Sequence, residues 1–358
     1  MRVLLYYPRA FTGDGGMTGA VQRLAVGMAA LGVDVTVAFD DGAEDHDAQG
    51  VHWCGVPHGG RGRFRACRDP DRAVRDADVV VVHSAWTLAN VVMARAARRR
   101  AVPYVIAPRG AYDPMIVHRH RLTKLAWWWL AERMLVTAAS AIHVFFESEL
   151  AHLRALGFRG RVIVAPNGVE APPGVRWDGG SGGYVLWMGR FDPQHKGIDV
   201  LLEAVALLPP SQRPLLRLHG PDWRGKKERV RETVRSLGID PWVSVAEQLR
   251  GPAKWRALSQ ARGFVYPSRW EGFGNSLAEA AAIGVPALGT PYPLARYLAE
   301  RGAVFLAPPT AAGLADGLHL LTSTAAREVG RAGETVARRD LSWSAVAGAW
   351  AEQLAAVT

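Results

Sequence analysis

Two carboxylates, Glu271 and Glu279, stand on either side of a glycine-rich loop and a helix start, an arrangement that can hold an anion. The preceding run, Gly263-Phe264-Val265-Tyr266, is short and apolar and predicts a buried strand. Glu271-Gly272-Phe273-Gly274-Asn275 then forms the loop. Residues 276–283 are alanine-rich and helix-favouring until Gly284 and Pro286 stop them. Free N–H groups at the start of such a helix converge on one point, which suits a phosphate. Each carboxylate also has a plainer reading. Ser276-x-x-Glu279 matches a capping box, in which Glu279 bonds back to the helix start, and Glu271 fits an ordinary solvated loop charge.

A second pair is cationic. Arg190 and Lys196 bracket a tight turn, Phe191-Asp192-Pro193-Gln194-His195, ahead of a helix-favouring run. Two positive charges there would stabilise a group that gains negative charge as it leaves; a solvated basic loop is the alternative. Gly15-Gly16-x-x-Gly19, after the first apolar run, lets backbone approach a phosphate or a sugar closely. It lacks the G-x-G-x-x-G of a dinucleotide site, which disfavours a nicotinamide or flavin enzyme. His83 ends a four-valine run, where open sheets place ligands, and a hydrogen-bonded core histidine fits equally well. Asp69-x-Asp71 and Asp76-x-Asp78 imitate metal-binding pairs. The first sits in a proline-containing turn and the second merely precedes the four-valine strand. No other ligand set in the sequence suits a divalent cation, so no metal is expected.

The segment EGFGNSLAE (271–279) resembles the Glu-x7-Glu pattern of retaining glycosyltransferases of family 4 (glycosyltransferase group 1), which have the GT-B architecture. MGRFDPQHKGIDVLLEA (188–204) follows the same family, and Pro166-Asn167-Gly168-Val169 resembles the segment where such chains leave their first domain. The resemblance implies two Rossmann-like, doubly wound parallel-sheet domains facing a cleft. It implies metal-independent transfer of a sugar from a nucleotide diphosphate to a hydroxyl acceptor: a polysaccharide, a lipid-linked saccharide or a small natural product. Catalysis would fall to Arg190, Lys196 and Glu271. The donor would meet Gly15, Gly16, Arg109 and Gly220, the loop Gly272, Phe273, Gly274, Asn275, Ser276 and Leu277, and Glu279, which takes the ribose. Glu247, Gln248 and Leu249 would border the base, with His83 and Tyr112 on the acceptor side. One departure matters. Many relatives carry His-Gly where the fourth strand of the first domain ends, reaching the donor sugar; this chain has Pro108-Arg109-Gly110. A permanently charged guanidinium cannot be a general base at neutral pH. A sugar hydroxyl, a phosphate oxygen or an acidic acceptor are its options, and the leaving diphosphate would take the acceptor's proton. A nucleotide-sugar epimerase of the same fold and a non-catalytic nucleotide-sugar binder are the alternatives.

The positioning elements read as repeated βα units. Strands are predicted at 2–7, 33–39, 78–83, 103–107, 141–145 and 161–165, with helices at 20–31, 88–100, 122–137 and 147–156. The four valines of 79–82 do not alternate with polar residues, which marks a central parallel strand. Residues 171–183 are rich in Pro and Gly without periodicity and serve as a linker. The rhythm restarts with strands at 184–188, 215–219, 243–246 and 263–266, helices at 198–208 and 226–237, and a last βα unit at 303–321. A terminal helix at 342–357 crosses back to the first domain in family members. The expected domains are 1–169 with about 341–358, on the acceptor side, and 170–340, on the nucleotide-sugar side.

Composition sets bounds. At 358 residues the chain can bury two cores. Two cysteines make no disulfide framework, and no uncharged apolar run reaches membrane-span length, so a cytoplasmic protein is expected. The start is too short and too quickly interrupted for a signal peptide. The net charge of +10 is spread as +6 over residues 1–169 and +4 over the rest. No zinc-finger spacing or RNP pattern supports nucleic acid as the partner, and anionic nucleotide sugars or lipids explain the charge as well. Within His118 to Arg133, Arg119, Arg121 and Lys124 precede Trp127, Trp128 and Trp129. Cations beside interfacial aromatics allow peripheral contact with the inner membrane face. Three consecutive tryptophans cannot share one helix face, and Leu122, Leu125 and Leu130 fit a core as readily.

Overall fold

A computed structural model describes residues 1–9, 16–40, 46–118 and 121–358, the side chain of Arg63 apart. The chain divides into two compact units, Met1–Gly168 with Trp343–Thr358, and Val169–Ser342. Both are α/β with parallel sheets.

In the first unit, the sheet order is Arg161–Val164, Ala141–Val144, Tyr104–Ala107, Val79–His83, Arg2–Tyr7, Asp34–Phe39, Val51–Gly55, His46–Ala48. Only the last strand runs antiparallel to its neighbour. Val79–Val82 are fully buried at the centre of this sheet, because both of its faces are covered. The helix Gly16–Ala30 lays Val21, Leu24, Ala25 and Met28 on one face. It begins four residues earlier than residue 20, since burial of that apolar stripe outweighs the poor helix propensity of Gly16 and Gly19. The terminal helix Trp343–Ala355 buries Val346, Ala347, Trp350 and Leu354 in the same core. Its Gln353 amide donates to the Val164 carbonyl (3.0 Å) and accepts from the Val164 N–H (2.9 Å), occupying the edge strand as a further strand would.

The stretch 122–137 is helical but not uniform. Arg121–Trp127 and Arg133–Thr137 are α-helix, and Trp128–Glu132 between them is a π turn. The extra residue turns Glu132 inward, where its carboxylate accepts from Tyr112 Oη (2.7 Å), Trp127 Nε1 (2.9 Å) and the Trp86 N–H (3.2 Å). Leu122, Leu125 and Leu130 do not enter a core: they are 83%, 51% and 79% exposed, with Trp129 at 65%. Trp127 alone of the three tryptophans is buried.

The second unit carries a fully parallel six-stranded sheet in the order Val243–Ala246, Leu215–His219, Tyr184–Met188, Gly263–Tyr266, Ala287–Gly289, Phe305–Leu306. Chain order reverses on either side of Tyr184–Met188, as it does on either side of Arg2–Tyr7 in the first unit. Such reversal opens a crevice at the carboxyl ends of the central strands, where ligands bind.

Candidate active site

In the second unit, the loops after Tyr184–Met188 and Gly263–Tyr266 lie at the reversal point and bring Arg190, Lys196 and Glu271 together. Lys196 sits at the end of a short helix, Pro193–Lys196, closed by Gly197 at φ +65°. A Cβ on Gly197 would stand 1.9 Å from the Pro267 carbonyl oxygen, so only glycine allows this close approach. The Lys196 ammonium is buried, 2.5 Å from Glu271 Oε1 and 2.9 Å from the Tyr266 hydroxyl. Burial pulls the Lys196 pKa down, but the Glu271 carboxylate and Tyr266 more than offset it and leave it above its ordinary value. Burial raises Glu271, and the Lys196 ammonium overcomes that to hold it below the usual range. Both groups are therefore charged. An ammonium has three donors, and these two bonds leave one for an anion.

Arg190 is oriented by a residue the sequence pattern did not single out. Its Nη2 donates to His195 Nδ1 (3.0 Å), while His195 Nε2–H donates to the Trp270 carbonyl (2.9 Å). The imidazole lies flat on Trp270, with centroids 4.3 Å apart and planes 4° apart. Burial first, then Lys196, depresses the His195 pKa to about 4, so the ring is neutral and can accept. The Arg190 guanidinium also covers the Trp223 ring at 4.6 Å. Lys226 pairs with buried Asp192 at 2.6 Å in the same turn. The one sequence signal for His195 was its place beside Lys196; its partner is 75 residues away.

The glycine loop leads into the helix Asn275–Ala282, with Gly274 as N-cap at φ +100°. That conformation suits glycine, and a Cβ there would press on the Tyr292 ring at 2.9 Å. Phe273 and Leu277 are buried, anchoring loop and helix. The helix has no side-chain cap, so the capping-box reading of Ser276 and Glu279 does not hold. Glu279 is instead paired with Lys254 at 2.8 Å. The Tyr292 hydroxyl, beside Gly274, is buried without a hydrogen-bond partner, a second group that sequence spacing did not reveal. Gly220 follows the strand Leu215–His219, its Cα packed against the Gly189 carbonyl. Glu247 pairs with buried Lys227, Gln248 Oε1 accepts from Arg250 (3.1 Å), and Leu249 is part-exposed beyond the end of Val243–Ala246.

In the first unit, Arg109 and His83 meet at the carboxyl edge of the sheet. Arg109 Nε donates to His83 Nδ1 (3.3 Å) and Nη1 to Asn167 Oδ1 (2.8 Å), with all three side chains buried. Burial lowers Arg109 to about 10, still charged at neutral pH. Burial, then Arg109, holds His83 well below its usual value, so it is neutral. The Tyr112 hydroxyl is spent on Glu132, which makes it a scaffold for this edge. Gly16 opens the first helix, and Gly15 lies outside the described residues. The aspartates of the two Asp-x-Asp pairs that are bonded hold protein groups: Asp69 caps the helix Pro70–Val74, Asp71 pairs with Arg99, and Asp78 with Arg2.

Comparison with known proteins follows the same division. Residues 15–168 match the glycosyl transferase 4-like domain and residues 182–324 the glycosyl transferases group 1 domain. Phosphatidyl-myo-inositol mannosyltransferase of Mycobacterium tuberculosis is 32% identical over 203 residues, 52% of this chain and 51% of that protein. The chain matches about half, or less, of the length of its curated relatives. Sucrose-phosphate synthase from Thermosynechococcus elongatus superposes over 100% of both chains with a TM-score of 0.79 at 18% identity. HepE of Anabaena, solved in complex with UDP and glucose, covers 99% of this chain and 100% of its own with a TM-score of 0.75 at 16% identity. The fold is GT-B, and with both domain models matched in order the chain belongs to the group 1 glycosyltransferases.

Proposed function

We propose that the chain transfers a sugar from a nucleotide-diphosphate donor to an acceptor hydroxyl, with retention of anomeric configuration and without a metal ion. The carrying observation is the charged cluster at the reversal point of the second sheet. There Lys196 keeps a free donor, Arg190 is aimed by a neutral histidine, and a helix start lies four residues beyond Glu271. These positive groups would take the charge that grows on the diphosphate as its bond to the sugar C1 breaks. The acceptor oxygen bonds to C1 on the same face, and its proton passes to the departing diphosphate oxygen. In this reading Glu271 and the loop amides hold sugar hydroxyls, Glu279 the ribose, and residues 247–249 the base. The Val169–Ser342 unit takes the donor and the other unit the acceptor. The UDP and glucose of HepE and the mannosyltransferase name of the mycobacterial relative support the reading. A panel of UDP-, GDP- and dTDP-sugars tests it by thermal stabilisation. A ligand at 100 times its Kd adds about 2.7 kcal/mol, so one base class should raise the midpoint clearly; no response to any of them refutes the assignment.

The exposed stripe on the first unit supports a peripheral site on the inner membrane face. Leu122, Leu125, Trp129 and Leu130 are joined by Met115, 55% exposed, and flanked by exposed Arg121 and Arg133. Apolar side chains ringed by cations are what an anionic bilayer attracts. Lys124 is turned inward to the Ile116 carbonyl and the Trp86 ring, and Arg119 lies outside the described residues. No helix among the described residues is long and apolar enough to cross a membrane. Vesicles containing phosphatidylglycerol should co-sediment with the protein at low salt, and Leu122→Ser with Leu130→Ser should weaken this severalfold. Absence of wild-type binding would point to a soluble acceptor.

A further inference from the structure

The most unusual charge outside the cluster of Arg190, Lys196 and Glu271 is the guanidinium of Arg109. It is 9% exposed, and its bonded partners are an amide oxygen and a neutral imidazole. The faces of Phe145 and Trp350 lie 5.7 Å away on their centroids. No carboxylate among the described residues forms an ion pair with it. Its Nη2 is buried with no hydrogen-bond partner. His83 accepts through Nδ1, so its proton is on Nε2, and that nitrogen is also buried and unpartnered. Buried charges are paired and buried donors bonded because the lost hydration must be replaced. Here the protein supplies neither replacement.

The backbone at this edge is strained. Ser84, Trp86 and Arg109 adopt φ of +77°, +63° and +54°, all without being glycine. They follow the adjacent strands Val79–His83 and Tyr104–Ala107. Such strain gathers where a ligand is held. The 15-residue helix Gly16–Ala30 starts at the same edge, after the neighbouring strand Arg2–Tyr7, and adds the positive end of its dipole.

We propose that Arg109 binds an acidic group, a carboxylate or phosphate other than the donor's diphosphate, carried on one of the two substrates of the transfer. A neutral sugar hydroxyl would satisfy the free N–H and leave the charge uncompensated; an oxoanion supplies both. The inference rests on the glycosyltransferase reading and narrows its substrates to those with an acid.

Calorimetric titration of the full chain tests it. One arm compares donors that differ only at C6: UDP-glucuronate with UDP-glucose, and GDP-mannuronate with GDP-mannose. The other arm, at saturating nucleoside diphosphate, compares glucuronate and glucose 6-phosphate with glucose as acceptor fragments. In one arm the acid should bind at least tenfold more tightly than its neutral counterpart. Arg109→Gln should lose the preference while keeping affinity for the neutral ligand, and Arg109→Lys should keep part of it, which also covers the case in which Arg109→Gln does not fold. Equal affinities in both arms, or a preference that survives Arg109→Gln, overturn the proposal. Failure of UDP and GDP themselves to bind overturns the underlying reading and this proposal with it.

Discussion

The carboxyl edges of the two sheets are built alike and charged differently. In the second unit the lysines are each paired with a carboxylate, Lys196 with Glu271, Lys254 with Glu279 and Lys226 with Asp192, while Arg190 is held by the neutral His195. In the first unit Arg109 is buried without a carboxylate, and Glu132 is buried with three neutral donors and no cation among the described residues. The paired edge is set before any ligand arrives, as a site must be that stabilises charge appearing during a reaction. The unpaired edge leaves part of its electrostatics to whatever binds. On the proposed reading, one unit would serve what every donor shares, the diphosphate, and the other what distinguishes one substrate from another.

The largest effect should come from the paired edge. Lys196→Ala and Arg190→Ala are each expected to lower kcat/KM by ~10²-fold or more, roughly 3 kcal/mol of lost charge stabilisation. Lys196→Ala should also cost stability, because Glu271 would be left buried and alone. Wild-type kinetics in both variants would erase the contrast between the units.

Next comes the scaffold of the unpaired edge. Glu132→Ala would orphan the Tyr112 hydroxyl, the Trp127 indole and the Trp86 amide at once. A loss of about 3 kcal/mol is expected in urea unfolding followed by tryptophan fluorescence, and a loss below about 1 kcal/mol would show that the π turn does not depend on this carboxylate.

The smallest effect is a pH dependence. His195 is held at about 4, by burial and then Lys196, against 6.5 in the unfolded chain. Between those values the unfolded state binds more protons, so stability rises with pH and is lost as pH falls toward 4. His195→Asn, whose amide oxygen can still accept from Arg190, should flatten that slope relative to wild type while keeping kcat within a few-fold. His195→Ala should flatten it equally but lower kcat about tenfold. An unchanged slope in both would mean that His195 is not neutral in the folded protein.

Much of the framework was legible because its signals are local. The unalternating valines of 79–82 could only be a strand covered on both faces. The glycine loop at 272–274 with its following alanines marked a helix start, and Asn275–Ala282 is that helix. What was missed depends on distant partners. A π turn has no code of its own, and Glu132 was an unremarked charge until Tyr112, Trp86 and Trp127 surrounded it. Leucines at 122, 125 and 130 have the same spacing whether their stripe meets a core or solvent. The short strands His46–Ala48 and Phe305–Leu306 carry too few residues for a pattern. His195 became informative only when the fold laid Trp270 against it.

The central claim, that the paired edge drives sugar transfer to a hydroxyl, is tested most directly by nucleoside diphosphate release in excess EDTA, with and without acceptor, followed by NMR of the product. Release that requires acceptor, persists in EDTA and yields the donor's anomeric configuration is the predicted result. Release without acceptor, abolition by EDTA with rescue by Mg²⁺ or Mn²⁺, or an inverted anomeric centre would contradict it.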